Sequence, residues 1–270
     1  MRSLPVLVLS RAREGKKKNC HNMPDNNIMS PKEDCGRGTK RKEMDQGKHD
    51  QPSLKLYYFN IKGKGESIRL ICAYSGLKLE DYRFSSRDEF LAMKEGTRLP
   101  FGQVPMLEVD GKHSMVQSSS IMRYLGKLSG LYPMDDYILA QKIDSVMDQA
   151  ADVFMGSTVL TYGLRFGVDL SPEAKEKSYE HFNEVVLPNH LKKAERLIES
   201  SATGWIAGTE EPSPADFVWY CSLNNMTAKK EIMEKNKRLE SYPKLKAFVE
   251  KFESLEEIKE YYKEKEQKLI

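Results

Sequence analysis

Asp110-Gly111 lies between two short apolar runs, "VPMLEV" and "KHSMVQ". Two residues that tolerate positive φ, set between such runs, predict a tight hairpin. Only the mirror-image turns match the right-handed twist of the strands they join. The hairpin pins an antiparallel pair late in a segment that otherwise alternates. Upstream, "LKLYYF" reads as a strand, and "GESIRLICAYSG" has helical spacing through Ile68, Ile71, Cys72 and Ser75, closed by Gly76 at a cap position. "LEDYRFS" is a second strand and "RDEFLAMKEG" a short helix. After the hairpin, "SSSIMRYLGKLSG" is a helix whose serines are expected to cap its start and whose Gly130 ends it.

The resulting order is β-α-β-α-β-β-α. Alternation implies parallel pairing, the hairpin adds an antiparallel strand, and the whole is a thioredoxin-like arrangement. Beyond "LYPMDD" every segment has helical period. Ile138, Ile143, Val146 and Met147 begin one helix, and Ser171-Pro172-Glu173-Ala174 opens the next with proline at its tolerated first position. Ser213-Pro214-Ala215-Asp216 is a capping box ahead of Phe217, Trp219 and Leu223. "YPKLKAFVEKF" and "LEEIKEYYKE" complete a helical bundle. The expected fold class is therefore α/β plus all-α: a thioredoxin-like domain over 54–132, then an all-helical domain over 136–265.

Residues 1–53 have no apolar periodicity, contain Lys16-Lys17-Lys18, and read as a disordered basic leader. The apolar run Leu4–Leu9 is shorter than a secretory core. Organellar targeting by this leader is the alternative to a cytoplasmic location. Of 43 Lys/Arg and 40 Asp/Glu, the leader holds 12 and 7, so residues 54–270 carry a net charge of −2. That balance argues against a nucleic-acid surface. No apolar run reaches the roughly 20 residues of a membrane-spanning helix. Cys20, Cys35, Cys72 and Cys221 show neither CxxC nor metal-ligand spacing, and Cys72 and Cys221 read as reduced core thiols.

Three ordered motifs, "YYFNIKGKGESIRL", "LPFGQVPMLEVDG" and "QSSSIMRYLG", precede a helical region containing "IDSVMDQAADVF". Together they resemble a glutathione transferase of the sigma class over about residues 54–265. The resemblance implies glutathione as co-substrate, no other cofactor, an apolar electrophile and a homodimer. A site for this tripeptide needs a free backbone edge, anion-binding groups at both ends, and a donor at the thiol, whose unperturbed pKa is about 8.5.

The resemblance distributes these roles. Val104 pairs with the cysteinyl backbone and Pro105 takes a cis bond. Gln117 and Ser118, where a strand gives way to a helix N-terminus, meet the γ-glutamyl carboxylate, as free N–H groups and the helix dipole favour. Phe90, Lys94 and Gln103 face the glycine carboxylate; sigma members commonly have tryptophan at the position of Phe90. Leu54, Leu56 and Tyr58 share one face of the first strand, and Lys55, Tyr57 and Phe59 the other. The motif registers on Tyr58-Phe59, which makes Tyr58 the donor to the thiolate and Tyr57 a packing residue. Lys64 stands where the class usually has arginine and is assigned a catalytic role through its charge. Phe59, Ile61 and Gly63 are expected to line the electrophile pocket, opposite the helix that follows Asp152.

Asp152 registers with an aspartate that reaches across the dimer to the γ-glutamyl amine of the neighbouring subunit. Ala151 replaces one of three acidic residues that hold a metal in some members, so no metal site is expected. His113, His181 and His190 sit beside no nucleophile. Two other functions share the fold: a glutathione-dependent isomerase, as in the prostaglandin D synthase branch, and a non-enzymatic protein such as the related lens crystallins.

Overall fold

β1 (Leu54–Phe59) is covered on both faces, as two adjacent tyrosines on a strand require. Leu54, Leu56 and Tyr58 join the main core with Ile68, Ile71 and Cys72 of α1 (Glu66–Ser75). Tyr57 joins a smaller cluster with Phe84, Leu99 and Met106. The computed structural model describes residues 51–225 and 239–267. The leader expected at 1–53 lies almost wholly outside these residues, as do Cys20 and Cys35.

β2 (Leu79–Phe84) runs parallel to β1 with Tyr58 opposite Arg83. β3 (Met106–Val109) runs antiparallel on the other side, Tyr57 opposite Met106, and β4 (His113–Val116) closes the sheet in the order β2-β1-β3-β4. Alternation predicted parallel pairing correctly for β1 and β2 only. Between β2 and β3, α2 (Arg87–Glu95) and the loop after it begin and finish at the same end of the sheet, so β3 returns antiparallel. Asp110 and Gly111 both have positive φ, 53° and 63°, as the hairpin needs. Gly76 closes α1 in the left-handed conformation. This is the thioredoxin-like sheet expected from the sequence.

α3 (Ser118–Leu128) packs beside α1 through Ile121, Met122 and Leu125. Its start corrects the serine-cap expectation. The cap position is Gln117, held at φ 71°, and no side chain bonds to the first N–H groups. The three serines are instead the first helical residues.

The helical part starts with α4 (Tyr137–Tyr162), capped by Asp136. α5 (Pro172–His181) continues through a π turn into α6 (Leu187–Glu199), and Gly156 of α4 lets the Phe182 ring approach closely. α7 (Pro214–Asn225) runs through the core, where Phe217 and Trp219 are buried and the Trp219 indole donates to the Val146 carbonyl at 2.8 Å. Of its capping box the acidic half forms, while Asp216 N–H goes to the Ser213 carbonyl at 2.9 Å and not to the Ser213 hydroxyl. The buried Asp216 carboxylate accepts from Ser213 N–H at 2.8 Å, from the Ser213 hydroxyl at 2.8 Å and from Ile206 N–H at 2.7 Å. Burial nevertheless pushes this carboxyl up to about 6. α8 (Pro243–Glu253) and α9 (Glu256–Gln267) follow, and α9 returns to pack on α1. No helix among the described residues is long and apolar enough to cross a membrane.

Candidate active site

The turn Lys62-Gly63-Lys64-Gly65 folds over the Tyr58 ring, and only glycine fits where it touches. A Cβ on Gly63 would lie 2.6 Å from the Tyr58 hydroxyl, and one on Gly65 would lie 2.6 Å from its Cδ1. Gly63 also has φ +44°, which other residues rarely adopt. With the turn this close, Lys64 N–H donates to the Tyr58 hydroxyl at 3.0 Å. The phenol accepts that bond and keeps its own proton for another acceptor. Burial raises the Tyr58 hydroxyl above its ordinary value, and the Lys64 N–H, Arg69 and Arg165 pull the other way. The group is a neutral donor near pH 7.

Lys64 meets Tyr58 through its backbone. Its peptide N–H, not its ammonium, bonds to Tyr58. The guanidinium beside the tyrosine is that of Arg69, whose Cζ lies 5.7 Å from the ring centroid. Arg69 is buried and holds the turn in place by donating to the Ile61 carbonyl at 3.1 Å and the Lys62 carbonyl at 3.4 Å. It also binds Asp81 at 2.9 Å and Glu66 at 3.0 Å. Glu66 in turn accepts from Tyr261 at 3.3 Å and Lys265 at 3.4 Å, both on α9. Spacing offers a faint pointer to Arg69, three residues after Glu66 on one helix face. Nothing local in the sequence places it under Tyr58.

The Val104–Pro105 bond is cis. Pro105 is buried at the entry to β3, and no backbone hydrogen bond of Val104 occurs among the described residues. Gln103 is exposed beside Gly102, against which the Lys94 stem packs: a Cβ there would meet Lys94 Cε at 3.1 Å. The structure thus brings Lys94 and Gln103 to one place. The Phe90 ring lies 5.0 Å from that of Phe59 and 5.7 Å from that of Phe84. Ser118 is half-buried at the first turn of α3, where the earliest helical N–H bond is that of Ile121 to Gln117.

A cavity of about 440 Å³ opens at the end of α4, lined by Val159, Leu160, Tyr162, Arg165 and Leu170 among others. Tyr162 and Arg165 lie near enough to Tyr58 for their charges to act on its hydroxyl. Phe59, Ile61 and Gly63, the residues expected to line an electrophile pocket, do not line this one. Phe59 packs between Phe84 and Phe90, Ile61 is exposed, and Gly63 is spent on clearance for Tyr58. The continuation of the Asp152 helix forms one wall of this cavity. Asp152 itself is exposed on α4, while Asp148 one turn earlier is tied to Arg123 at 2.8 Å. Among the described residues no group of His, Cys, Asp and Glu is placed to hold a metal. Cys72 and Cys221 are buried and unpaired, and burial pushes the Cys72 thiol up to about 12.

Residues 54–127 match the family described as Glutathione S-transferase, N-terminal domain, and residues 166–265 match Glutathione S-transferase, C-terminal domain. A glutathione S-transferase of Anopheles gambiae is 31% identical over 210 residues, covering 78% of this chain and 95% of that protein. The chain belongs to the glutathione S-transferase family. Within the family, similarity extends to the hematopoietic prostaglandin D synthase of Gallus gallus, 31% identical over 208 residues, covering 76% of this chain and 92% of that one. A solved structure of prostaglandin synthase D of Nilaparvata lugens superposes with a TM-score of 0.67 at 29% identity, covering 78% of this chain and 98% of that one.

Proposed function

We propose that this protein is a glutathione transferase, of sigma-class type, that ionises the glutathione thiol at Tyr58 and conjugates it to small electrophiles. The observation that carries the reading is the Tyr58 hydroxyl, which accepts Lys64 N–H at 3.0 Å and so has its own proton to donate. A neutral phenol donating to sulfur favours the thiolate over the thiol. The thiolate then attacks the electrophilic carbon, forms the C–S bond and displaces a leaving group or adds to a double bond.

The rest of the site suits the tripeptide. The unpaired backbone at Val104, next to Pro105, matches an extended cysteinyl unit. Gln117, Ser118 and the uncapped start of α3 suit the γ-glutamyl carboxylate, and Lys94 with Gln103 the glycine carboxylate. Exposed Asp152, which has no ion pair among the described residues, is available to the γ-glutamyl ammonium of a second subunit in a two-fold homodimer. A cytoplasmic, reducing location fits thiol chemistry and the two reduced cysteines.

A glutathione-dependent isomerase is the second reading, favoured by the similarity to the Gallus gallus synthase. Retention on a glutathione matrix and turnover of a chlorodinitrobenzene-type electrophile test the transferase. No retention and no conjugate would overturn it. Rearrangement of an unsaturated endoperoxide without net glutathione consumption would favour the isomerase.

A further inference from the structure

The cavity at the end of α4 has a wall that is apolar in body and cationic at its edge. Val159, Leu160, Val168 and Leu170 supply aliphatic surface, and Tyr162 adds a ring. Its charged lining is Arg165 and Lys175 against one carboxylate, Asp169. Arg165 makes no hydrogen bond or ion pair among the described residues, and its guanidinium has only the Phe166 ring, 5.8 Å away. Its field reaches across to the thiol side of the site. Loss of hydration and then repulsion from Arg165 hold the Lys64 ammonium below its ordinary value, although Lys64 as a residue keeps contact with solvent. Arg165 thus lines the cavity and lies near enough to Lys64 for the two charges to repel each other.

A neutral apolar molecule filling the cavity would strip water from Arg165 and return nothing. An anionic group would pair with it, and a positive field over an open cleft also speeds the arrival of anions. At about 440 Å³ the cavity has room for a small organic molecule.

We infer that the pocket selects electrophiles that carry an acidic group on an apolar body, with Arg165 as the residue that binds the acid. The inference rests on the transferase reading and adds the substrate class. For an unsaturated ketone bearing a carboxylate, the glutathione sulfur attacks the β-carbon and forms the C–S bond. The alkene π pair moves to the carbonyl as an enolate, which takes a proton from solvent. The sum is addition of a thiol across a double bond, with no oxidant or reductant. The carboxylate takes no part except to hold the molecule at Arg165.

The test compares one unsaturated keto acid with its own methyl ester, as kcat/KM corrected for the uncatalysed reaction. The wild-type protein should prefer the acid by about fivefold, the scale of one charge pair that keeps contact with water. That preference should shrink as salt is raised from about 0.1 M to 1 M, where the screening length falls to about 3 Å. In Arg165→Gln the acid-to-ester ratio should fall to about one, mainly through KM. A ratio measured within each variant is insensitive to partial loss of folded protein, and the salt series needs no variant. Equal losses on acid and ester would overturn the inference, because they would mean that Arg165 acts on the shared thiolate. A wild-type ratio at or below one would also overturn it. Either result, with chlorodinitrobenzene still turned over, leaves the transferase reading standing. Failure of every electrophile together with failure to bind the glutathione matrix removes both.

Discussion

Tyr57 and Tyr58 are neighbours on one strand, each 7% exposed, and burial alone cannot tell them apart. Their oxygens differ. Tyr57 takes its hydrogen bond from the Arg98 side chain at 3.0 Å, and that side chain is 52% exposed. Tyr58 takes its bond from a peptide N–H in a glycine turn, with a buried arginine beneath its ring. A surface side chain can swing away and be replaced by water. A peptide group clamped by Gly63, Gly65 and Arg69 cannot. The lesson is that a functional hydroxyl is recognised by how rigidly its partner is held, not by how deeply it is buried.

The strongest way to break this comparison is to remove each hydroxyl. Tyr58→Phe should lower kcat by roughly 100- to 1000-fold, the cost of losing one preorganised donor to negative charge. Tyr57→Phe should leave kcat within about threefold, since its bond lies at the surface. Steady-state kinetics with a neutral electrophile decides. Comparable losses would mean that the two faces are not functionally distinct.

The arginines sharpen the contrast at the next level. Arg69→Met should destabilise the fold by about 2 kcal/mol in urea. This is below the usual cost of breaking a buried pair, because Lys265 still neutralises Glu66 and Arg83 still neutralises Asp81. Arg98→Met should cost about 0–1 kcal/mol, as for other exposed pairs. Equal urea midpoints would show that the clamp on the Tyr58 side is not rigid.

The smallest effect is a pH slope that belongs to the Tyr58 face alone. Loss of hydration holds Lys265 down at about 8, with Arg69 and Arg83 adding to it against the pull of Glu66. Above pH 8 the folded chain gives up this proton while the unfolded chain keeps it up to the ordinary lysine value of about 10.4. The unfolded state then binds more protons, so the contribution of this lysine to stability improves as pH rises through that window. Urea midpoints of wild type should therefore gain on those of Lys265→Met between pH 8 and 10. A constant difference would contradict it.

What the sequence made legible was local. Asp110-Gly111 and Gly76 each specify a turn or a cap within a few residues and formed as read, and the Ser213–Asp216 box formed through its carboxylate. Strand alternation put Tyr57 and Tyr58 on opposite faces, and the resemblance to the family motif chose Tyr58 between them. Non-local features were not legible. Arg69 reaches Tyr58 only because α1 folds back over β1, and Arg165 reaches it from the far end of α4, more than a hundred residues later. The start of α3 misled for a different reason. Three serines look like caps, but Gln117 takes a positive φ that its residue type does not advertise, which shifts the helix start by one position.

One contact gives the molecule a direction in time. Glu66, next to the turn that clamps Tyr58, is matched by Tyr261 and Lys265 on α9, 195 and 199 positions further along the chain. At about 5–20 residues per second of synthesis, the early carboxylate waits on the order of 10–40 s for partners that do not yet exist. During that wait, a nascent thioredoxin-like segment has its sheet and its tyrosine but lacks the helix that covers the arginine pair behind them. The sheet that carries Tyr58 is thus made early, and the buried pair behind it is closed only once α9 has been added.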